Sequence, residues 1–102
     1  MKALVHDDYC GLDGMRLDEL PDPTPGPDDV LVEVHAAGIN PIDWKVRAGA
    51  MRARFDLAFP DVLGRDVSGV VVGVGSNVTD LKEGDAVFGV CPPTRWGSHA
   101  EL

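Results

Sequence analysis

The sequence is poor in cysteine, in aromatic residues and in long apolar runs. Its 2 cysteines, Cys10 and Cys91, show no Cys-x-x-Cys spacing, so neither a disulfide framework nor a cysteine-rich zinc site is indicated. No apolar run reaches the roughly 18 residues of a membrane-spanning helix, and the first residues lack the apolar stretch of a signal peptide. We therefore expect a cytoplasmic protein with no membrane partner.

Positive charge is also scarce. The chain has 9 basic against 17 acidic side chains, a net charge of −8, which argues against a general nucleic-acid binder because such proteins neutralise phosphates with lysine and arginine. Five of the nine basic residues are clustered within positions 45–65. This basic cluster is either an ordinary solvated surface or a cationic rim that attracts a phosphate-bearing cofactor. Its members are Lys45, Arg47, Arg52, Arg54 and Arg65.

Glycine and proline are abundant, with 12 and 8 among the 102 residues, which favours short strands joined by turns. A proline-rich segment at 21–27 predicts an extended arm across the surface. The fold class we expect is mainly β, a partly open β-barrel or sandwich with one short helix, and 102 residues suffice for one domain. Strands are predicted at residues 2–6, 15–20, 30–36, 67–74 and 85–90, with a last short element at 98–102.

One segment predicts the helix and its start. Asn40 precedes Pro41, and Asp43 follows three positions after Asn40, as in a capping box with proline at the first helical position. The helix should extend to Ala48 and end at Gly49. Asn40 has two compatible interpretations, a helix cap or an amide directed into a cleft.

Metal and dinucleotide motifs are not convincing in this sequence. Gly73–Val78 begins like a dinucleotide fingerprint, but no helical pattern follows it, so we interpret it as a turn. The residues that could bind a metal are scattered singly, which predicts no metal site and favours histidines with ordinary hydrogen bonds. These residues are His6, His35, His99, Cys10 and Cys91.

Five segments in order resemble the GroES-like domain of medium-chain dehydrogenases/reductases. They are PDPTPGP (21–27), VLVEVHAAGINPIDWK (30–45), FPDVLGRDVSG (59–69), EGDAVFG (83–89) and GSHAEL (97–102). The resemblance implies a GroES-like, partly open β-barrel over residues 1–102, which serves as a substrate domain beside a Rossmann domain that binds NADPH or NADH. That Rossmann domain is not expected within these 102 residues, so the chain is a fragment, a truncation or a stand-alone domain.

The resemblance also implies which branch of the superfamily this is. Zinc-dependent members have a cysteine at the position of Asn40 and a histidine at that of Arg65, and arginine has no lone pair to offer a metal. The chain is therefore similar to the zinc-independent quinone oxidoreductases and enone reductases. Without a Lewis acid, reduction of a quinone or an α,β-unsaturated carbonyl is the expected chemistry.

The same resemblance suggests the site residues. Asn40 and Lys45 are the candidate catalytic hydrogen-bond donors. The candidate cofactor contacts are Asn40, Asp43 and Lys45. No residue is assigned to a metal. The expected partners are a small carbonyl or quinone substrate and the Rossmann domain, with a homodimer of the intact protein as a further expectation. The chain alone should be inactive. The alternative is a stand-alone, non-catalytic GroES-like binding or interaction module.

Overall fold

The computed structural model describes residues 1–92, 95 and 97–102. This part of the chain contains six strands, one α-helix and a short 3₁₀ turn at Leu12–Gly14. The elements are β1 (Lys2–His6), β2 (Arg16–Glu19), β3 (Val30–Ala37), α1 (Pro41–Ala48), β4 (Asp61–Val62), β5 (Asp66–Val74) and β6 (Ala86–Val90). No helix in the described ranges has the length and apolar character needed to cross a membrane.

The strands form two antiparallel three-stranded sheets, ordered β2-β1-β4 and β3-β5-β6. The predicted hairpin between β1 and β2 is present, with Leu4 opposite Leu17. Neither sheet closes on itself among the described residues. The expected fold class, mainly β with one short helix in a partly open, GroES-like arrangement, is confirmed.

The longest strands, β3 and β5, pair closely because β5 has glycine where the backbones meet. A Cβ atom on Gly69 would collide with the carbonyl oxygen of Glu33, so only glycine fits this register. The strict two-residue alternation predicted for β3 is wrong in detail. Register shifts between Leu31 and Val32 and between Val34 and Ala36 interrupt it, and such bulges bend a strand and increase its twist.

The buried apolar core is small and lies where the two sheets and α1 meet. Its fully buried side chains include Val5 from β1, Val46 from α1 and Val71 from β5. His6 is also completely buried, with Nδ1 2.9 Å from the carbonyl oxygen of Asp8 and Nε2 3.1 Å from Oδ2 of Asp61. A buried polar ring with both nitrogens hydrogen-bonded matches the structural role predicted for the histidines.

Helix α1 has the predicted bounds. Asn40 is in an extended conformation before Pro41, and Gly49 ends the helix with φ of 86°, in the left-handed region that favours glycine.

One strand escaped prediction. The two-residue strand β4 was not predicted, because a segment so short shows no periodicity. The last short element predicted at 98–102 does pair, through an isolated bridge between Ala3 and Ala100. Backbone hydrogen bonds from Glu101 to Lys2 at 3.0 Å and from Val34 to Glu101 at 2.8 Å let this segment link the two sheets.

Candidate functional site

The candidate site forms where α1 begins and β5 begins. Gly38, just after β3, donates its N–H to the carbonyl oxygen of Asp66 at 3.3 Å, which holds the approach to the helix against β5. Two residues later, Nδ2 of Asn40 donates to Oδ2 of Asp66 at 2.8 Å. Because a carboxylate only accepts hydrogen bonds, this contact fixes which side of the Asn40 amide carries the nitrogen.

Asn40 also begins the helix. It forms a capping box with Asp43, whose carboxylate accepts the backbone N–H of Asn40 at 2.8 Å. The amide nitrogen has two N–H groups, and the bond to Asp66 uses one of them. Asn40 is only half-buried, so one amide N–H remains for a ligand. The structure therefore confirms the interpretation of Asn40 as a helix cap, whereas an amide directed into a cleft stays a prediction.

The other two candidates, Asp43 and Lys45, lie in different environments. Asp43 is buried, with 6% of its surface exposed, and its carboxylate already holds the start of α1. Lys45 is exposed on α1, and its Nζ lies 5.7 Å from the ring centroid of Trp44. No contact within the described residues joins Lys45 to Asn40 or Asp66. The proposed catalytic and cofactor-binding roles of these residues stay predictions.

Asp66 was not predicted as a partner of Asn40. The two residues are 26 positions apart, and only the pairing of β5 with β3 brings them together. The one signal in the sequence is an acidic residue at the edge of the most apolar strand, where a charge needs a partner. Asp66 fixes the orientation of the Asn40 amide and is therefore part of the candidate site.

Arg65 lies immediately before Asp66 and packs against the first turns of α1. With Ile42, Asp43 and Val46 it lines a small cavity that has no room for a water molecule. Its Nε is buried and has no hydrogen-bond partner among the residues that the structure describes. A buried donor without a partner costs about 1–3 kcal/mol, so such groups are rare and call for an explanation.

The basic cluster at positions 45–65 has no acidic partners within the described part of the chain. The ion pairs among the described residues all involve groups outside this cluster, such as Arg16 with Asp18 and Arg95 with Asp29. Arg52 and Arg54 instead lie over the rings of Tyr9 and Phe55, 5.6 Å from each centroid. Among the described residues, the basic cluster is thus not neutralised by ion pairs, although the chain has 17 acidic residues.

Cys91 connects the polar site to a large open cleft. Its backbone N–H donates to the carbonyl oxygen of Arg65 at 2.7 Å. Burial raises the pKa of the Cys91 thiol, the nearby charge of Arg65 opposes that rise, and Asp66 adds to it. The charges of Arg65 and Asp66 therefore act on the same thiol, which places both charges near it.

The cleft itself has a volume of about 710 Å³ and mainly apolar walls from β3, β6 and the proline-rich arm. Of the residues discussed above, Cys91 contributes to its wall, whereas Asn40 and Arg65 do not. A cleft of this size fits a small organic molecule. The backbone bond from Cys91 to Arg65 is the link between this cleft and the segment that carries Asp66.

A metal centre is not apparent in the part of the chain that the structure describes. No three histidine, cysteine, aspartate or glutamate side chains come together there as possible ligands.

The fold, two open antiparallel sheets with one short helix, defines a mainly β domain. The family described as the alcohol dehydrogenase GroES-like domain matches residues 26–101. The chain therefore belongs to this GroES-like domain family of the medium-chain dehydrogenase/reductase superfamily.

Its relatives are oxidoreductases. The chain is 45% identical over 108 residues to the chloroplastic NADPH-dependent alkenal/one oxidoreductase of Arabidopsis thaliana, a match that covers 99% of this chain and 28% of that protein. The quinone oxidoreductase of Coxiella burnetii superposes with a TM-score of 0.88 at 36% identity, over 99% of this chain and 33% of that one. The Escherichia coli quinone oxidoreductase complexed with NADPH superposes with a TM-score of 0.87 at 27% identity, over 99% of this chain and 29% of that one. The chain thus spans about a third of the length of these relatives or less.

Proposed function

We propose that this chain is the substrate-side domain of an NAD(P)H-dependent oxidoreductase that reduces quinones or α,β-unsaturated carbonyls without zinc. The observation that carries the proposal is the half-buried Asn40 amide, held by Asp66 at 2.8 Å with one N–H to spare. The named activities of the relatives support the substrate class. These donors fit a nicotinamide dinucleotide, because an amide N–H and the Lys45 ammonium group can meet its amide and phosphate groups.

The chemistry needs a fixed donor at one oxygen atom. A reduced nicotinamide, when bound, supplies a hydride to the electron-poor carbon of the substrate. The electron pair of the substrate's carbon–carbon double bond then moves toward the carbonyl oxygen, and a proton from solvent completes the reduction. In this proposal Asn40 donates its remaining N–H to that oxygen, where negative charge develops, and Asp66 and Asp43 hold Asn40 in place.

Lys45 is the second proposed donor. Its ammonium group carries a full charge, which would strengthen a hydrogen bond to the same oxygen or to a cofactor phosphate. Its exposed position over Trp44 requires the side chain to swing toward Asn40 when a ligand is bound. Asp43 contributes indirectly by fixing the first turn of α1.

The experiment compares this chain alone with a protein that carries it together with a Rossmann domain in the same polypeptide. NADPH oxidation is followed with a benzoquinone, with a simple enone, and with the corresponding saturated ketone as the control substrate. We expect turnover of the quinone or the enone by the two-domain protein, none of the saturated ketone, and no activity of the 102-residue chain alone.

Two results would contradict the proposal. Equal turnover of the saturated ketone would remove the argument for a conjugated substrate. An inert two-domain protein, combined with tight calorimetric binding of a protein partner by the 102-residue chain, would favour the stand-alone interaction module instead.

A further inference from the structure

We propose that Arg65 is a further hydrogen-bond donor of this site, besides Asn40 and Lys45, and gives it a preference for an anionic oxygen on the ligand. This inference rests on the proposed function, and it identifies a residue that would stabilise the charge developing on the substrate oxygen. Its observations are the position of Arg65, its lack of partners and the charges around it.

The first observation is the position of the side chain. Arg65 lines the small cavity beside Ile42 and Asp43, which belong to the first turn of α1. That turn begins at Asn40, and Asn40 is bonded to Asp66, the neighbour of Arg65 in sequence. Arg65 and Asn40 therefore both lie at the junction between the start of α1 and the start of β5.

The second observation is the absence of partners. Nε of Arg65 is buried without an acceptor, and the adjoining cavity cannot hold a water that would supply one. Arg65 also forms no ion pair with any carboxylate of the described chain. Arg65 as a whole is only half-buried, and its guanidinium carries further N–H donors besides Nε.

The third observation is the electrostatic setting. Asp66 accepts a hydrogen bond from the side-chain amide of Asn40 and Asp43 accepts one from its backbone N–H, and these two carboxylates would disfavour negative charge on a substrate oxygen. A permanently charged guanidinium at the same junction of α1 and β5 would offset them. Its charge also acts on the Cys91 thiol, whose pKa it lowers against the larger effect of burial, so its field extends to the border of the large cleft.

These observations favour a specific hydrogen bond from Arg65 to the ligand over a general attraction of the ligand by a positively charged surface. Arg54 provides the matched comparison, because it belongs to the same basic cluster and has no acidic partner, but it is exposed and lies over Phe55. A contribution from overall charge would depend equally on both arginines, whereas a donor within the site would depend on Arg65 alone.

The test uses the two-domain protein and the variants Arg65→Gln, Arg65→Lys and Arg54→Gln. The binding probe is 4-nitrophenol, whose phenolate has a distinct absorption and imitates an oxygen that bears negative charge. We expect the unsubstituted protein to bind the phenolate at least about tenfold more tightly than the neutral phenol, which lowers the apparent pKa of the bound probe. Arg65→Gln should remove this preference, Arg65→Lys should restore part of it, and Arg54→Gln should leave it unchanged.

The kinetic measurement is kcat at saturating NADPH and quinone. Arg65→Gln should lower kcat about 100-fold, within the range found when one donor to a developing oxyanion is removed. Equal probe affinity in Arg65→Gln and the unsubstituted protein would overturn the proposal, and so would no preference for the phenolate in the first place. Weaker NADPH binding in Arg65→Gln with an unchanged probe preference would also overturn it, because Arg65 would then bind a cofactor phosphate.

The failures of the two proposals are distinguishable. If the two-domain protein reduces neither quinone nor enone, the proposed function fails, but the phenolate titration still decides whether Arg65 binds an anionic oxygen. If reduction occurs and the phenolate preference does not depend on Arg65, only the assignment of Arg65 fails. Should Arg65→Gln not fold, the comparison of Arg65→Lys with Arg54→Gln decides, because the preference must then weaken in the lysine variant alone.

Discussion

At the scale of single residues, Asn40 combines a structural and a chemical role that two substitutions separate. Asn40→Ala removes both the helix cap, worth about 1 kcal/mol, and the amide. Asn40→Ser keeps a capping side chain but has no amide N–H to offer. In the two-domain protein we therefore expect kcat to fall about tenfold or more in both variants, whereas thermal stability should fall clearly only in Asn40→Ala.

Steady-state kinetics and a thermal melt of each variant check this expectation. If Asn40→Ser retained full kcat, the amide would have no part in the reaction, and Asn40 would be a helix cap alone.

Cys91 offers a chemical test of the charges around it. Because burial raises the pKa of its thiol, little thiolate exists at neutral pH, and alkylation by iodoacetamide should accelerate only as pH rises toward that pKa. Arg65 opposes the rise, so Arg65→Gln should shift the pKa further upward and slow alkylation at a fixed pH. Mass spectrometry of the Cys91 peptide measures the rate.

Cys10 in the same sample is the internal control, and its alkylation rate should be the same in both proteins. A Cys91 rate that is unchanged or faster in Arg65→Gln would contradict the placement of the guanidinium beside this thiol.

Residue-level prediction succeeded where the signal was local. Asn40, Pro41 and Asp43 stand within four positions, so the sequence alone predicts the capping box that the structure contains. The bond between Asn40 and Asp66 was not predictable, because it spans 26 positions and depends on sheet register. It was equally unpredictable that Arg65 forms no ion pair among the described residues. The sequence does not show which of the 17 acidic side chains lie near Arg65 in the fold.

At the scale of elements, the end of α1 depends on Gly49. This residue has φ of 86°, and a Cβ there would lie 3.2 Å from Cγ of Tyr9. Gly84 is a matched control, since its φ of 92° is similar but nothing lies within 4 Å of its Cβ position. Gly84→Ala should cost about 1–2 kcal/mol from backbone strain alone, and Gly49→Ala should cost more because Tyr9 must also move.

Thermal or urea denaturation of both variants gives the difference. For a domain of this size each kcal/mol corresponds to a fall of about 4–8 °C in Tm. Equal losses for the two variants would show that the packing of Tyr9 adds nothing to the requirement for glycine at position 49.

The strands and the helix were predicted best where the sequence pattern of the segment was strongest. The bounds of β1 and α1 were predicted correctly, because β1 has an alternating pattern and α1 has both a cap and a terminal glycine. The bulges in β3 escaped prediction because they follow from its pairing with β5, where Gly69 allows the backbones to approach. Strand β4 is defined by its antiparallel pairing with β1, in which Val5 lies opposite Val62.

At the scale of the whole molecule, the two sheets differ in how their outer strands are protected. Three of the four residues of β2 are charged, and charge on an edge strand discourages pairing with another chain. At the edge of the other sheet, β6 consists of Ala86–Val90 without any charged residue. Its Phe88 is 90% exposed and Val90 is 64% exposed. An apolar edge strand of this kind favours association between chains.

We therefore expect the 102-residue chain on its own to self-associate through β6, despite its net charge of −8, once salt screens the repulsion. Phe88→Lys should lower the weight-average mass seen by light scattering at micromolar concentration and moderate salt, because it adds a charge to the exposed strand. Leu12→Lys is the control, since Leu12 is 77% exposed but lies in the 3₁₀ turn, away from a sheet edge. If both lysine variants reduced association equally, general apolar exposure and not the edge of β6 would be responsible, and a monomeric unsubstituted chain would contradict the prediction outright.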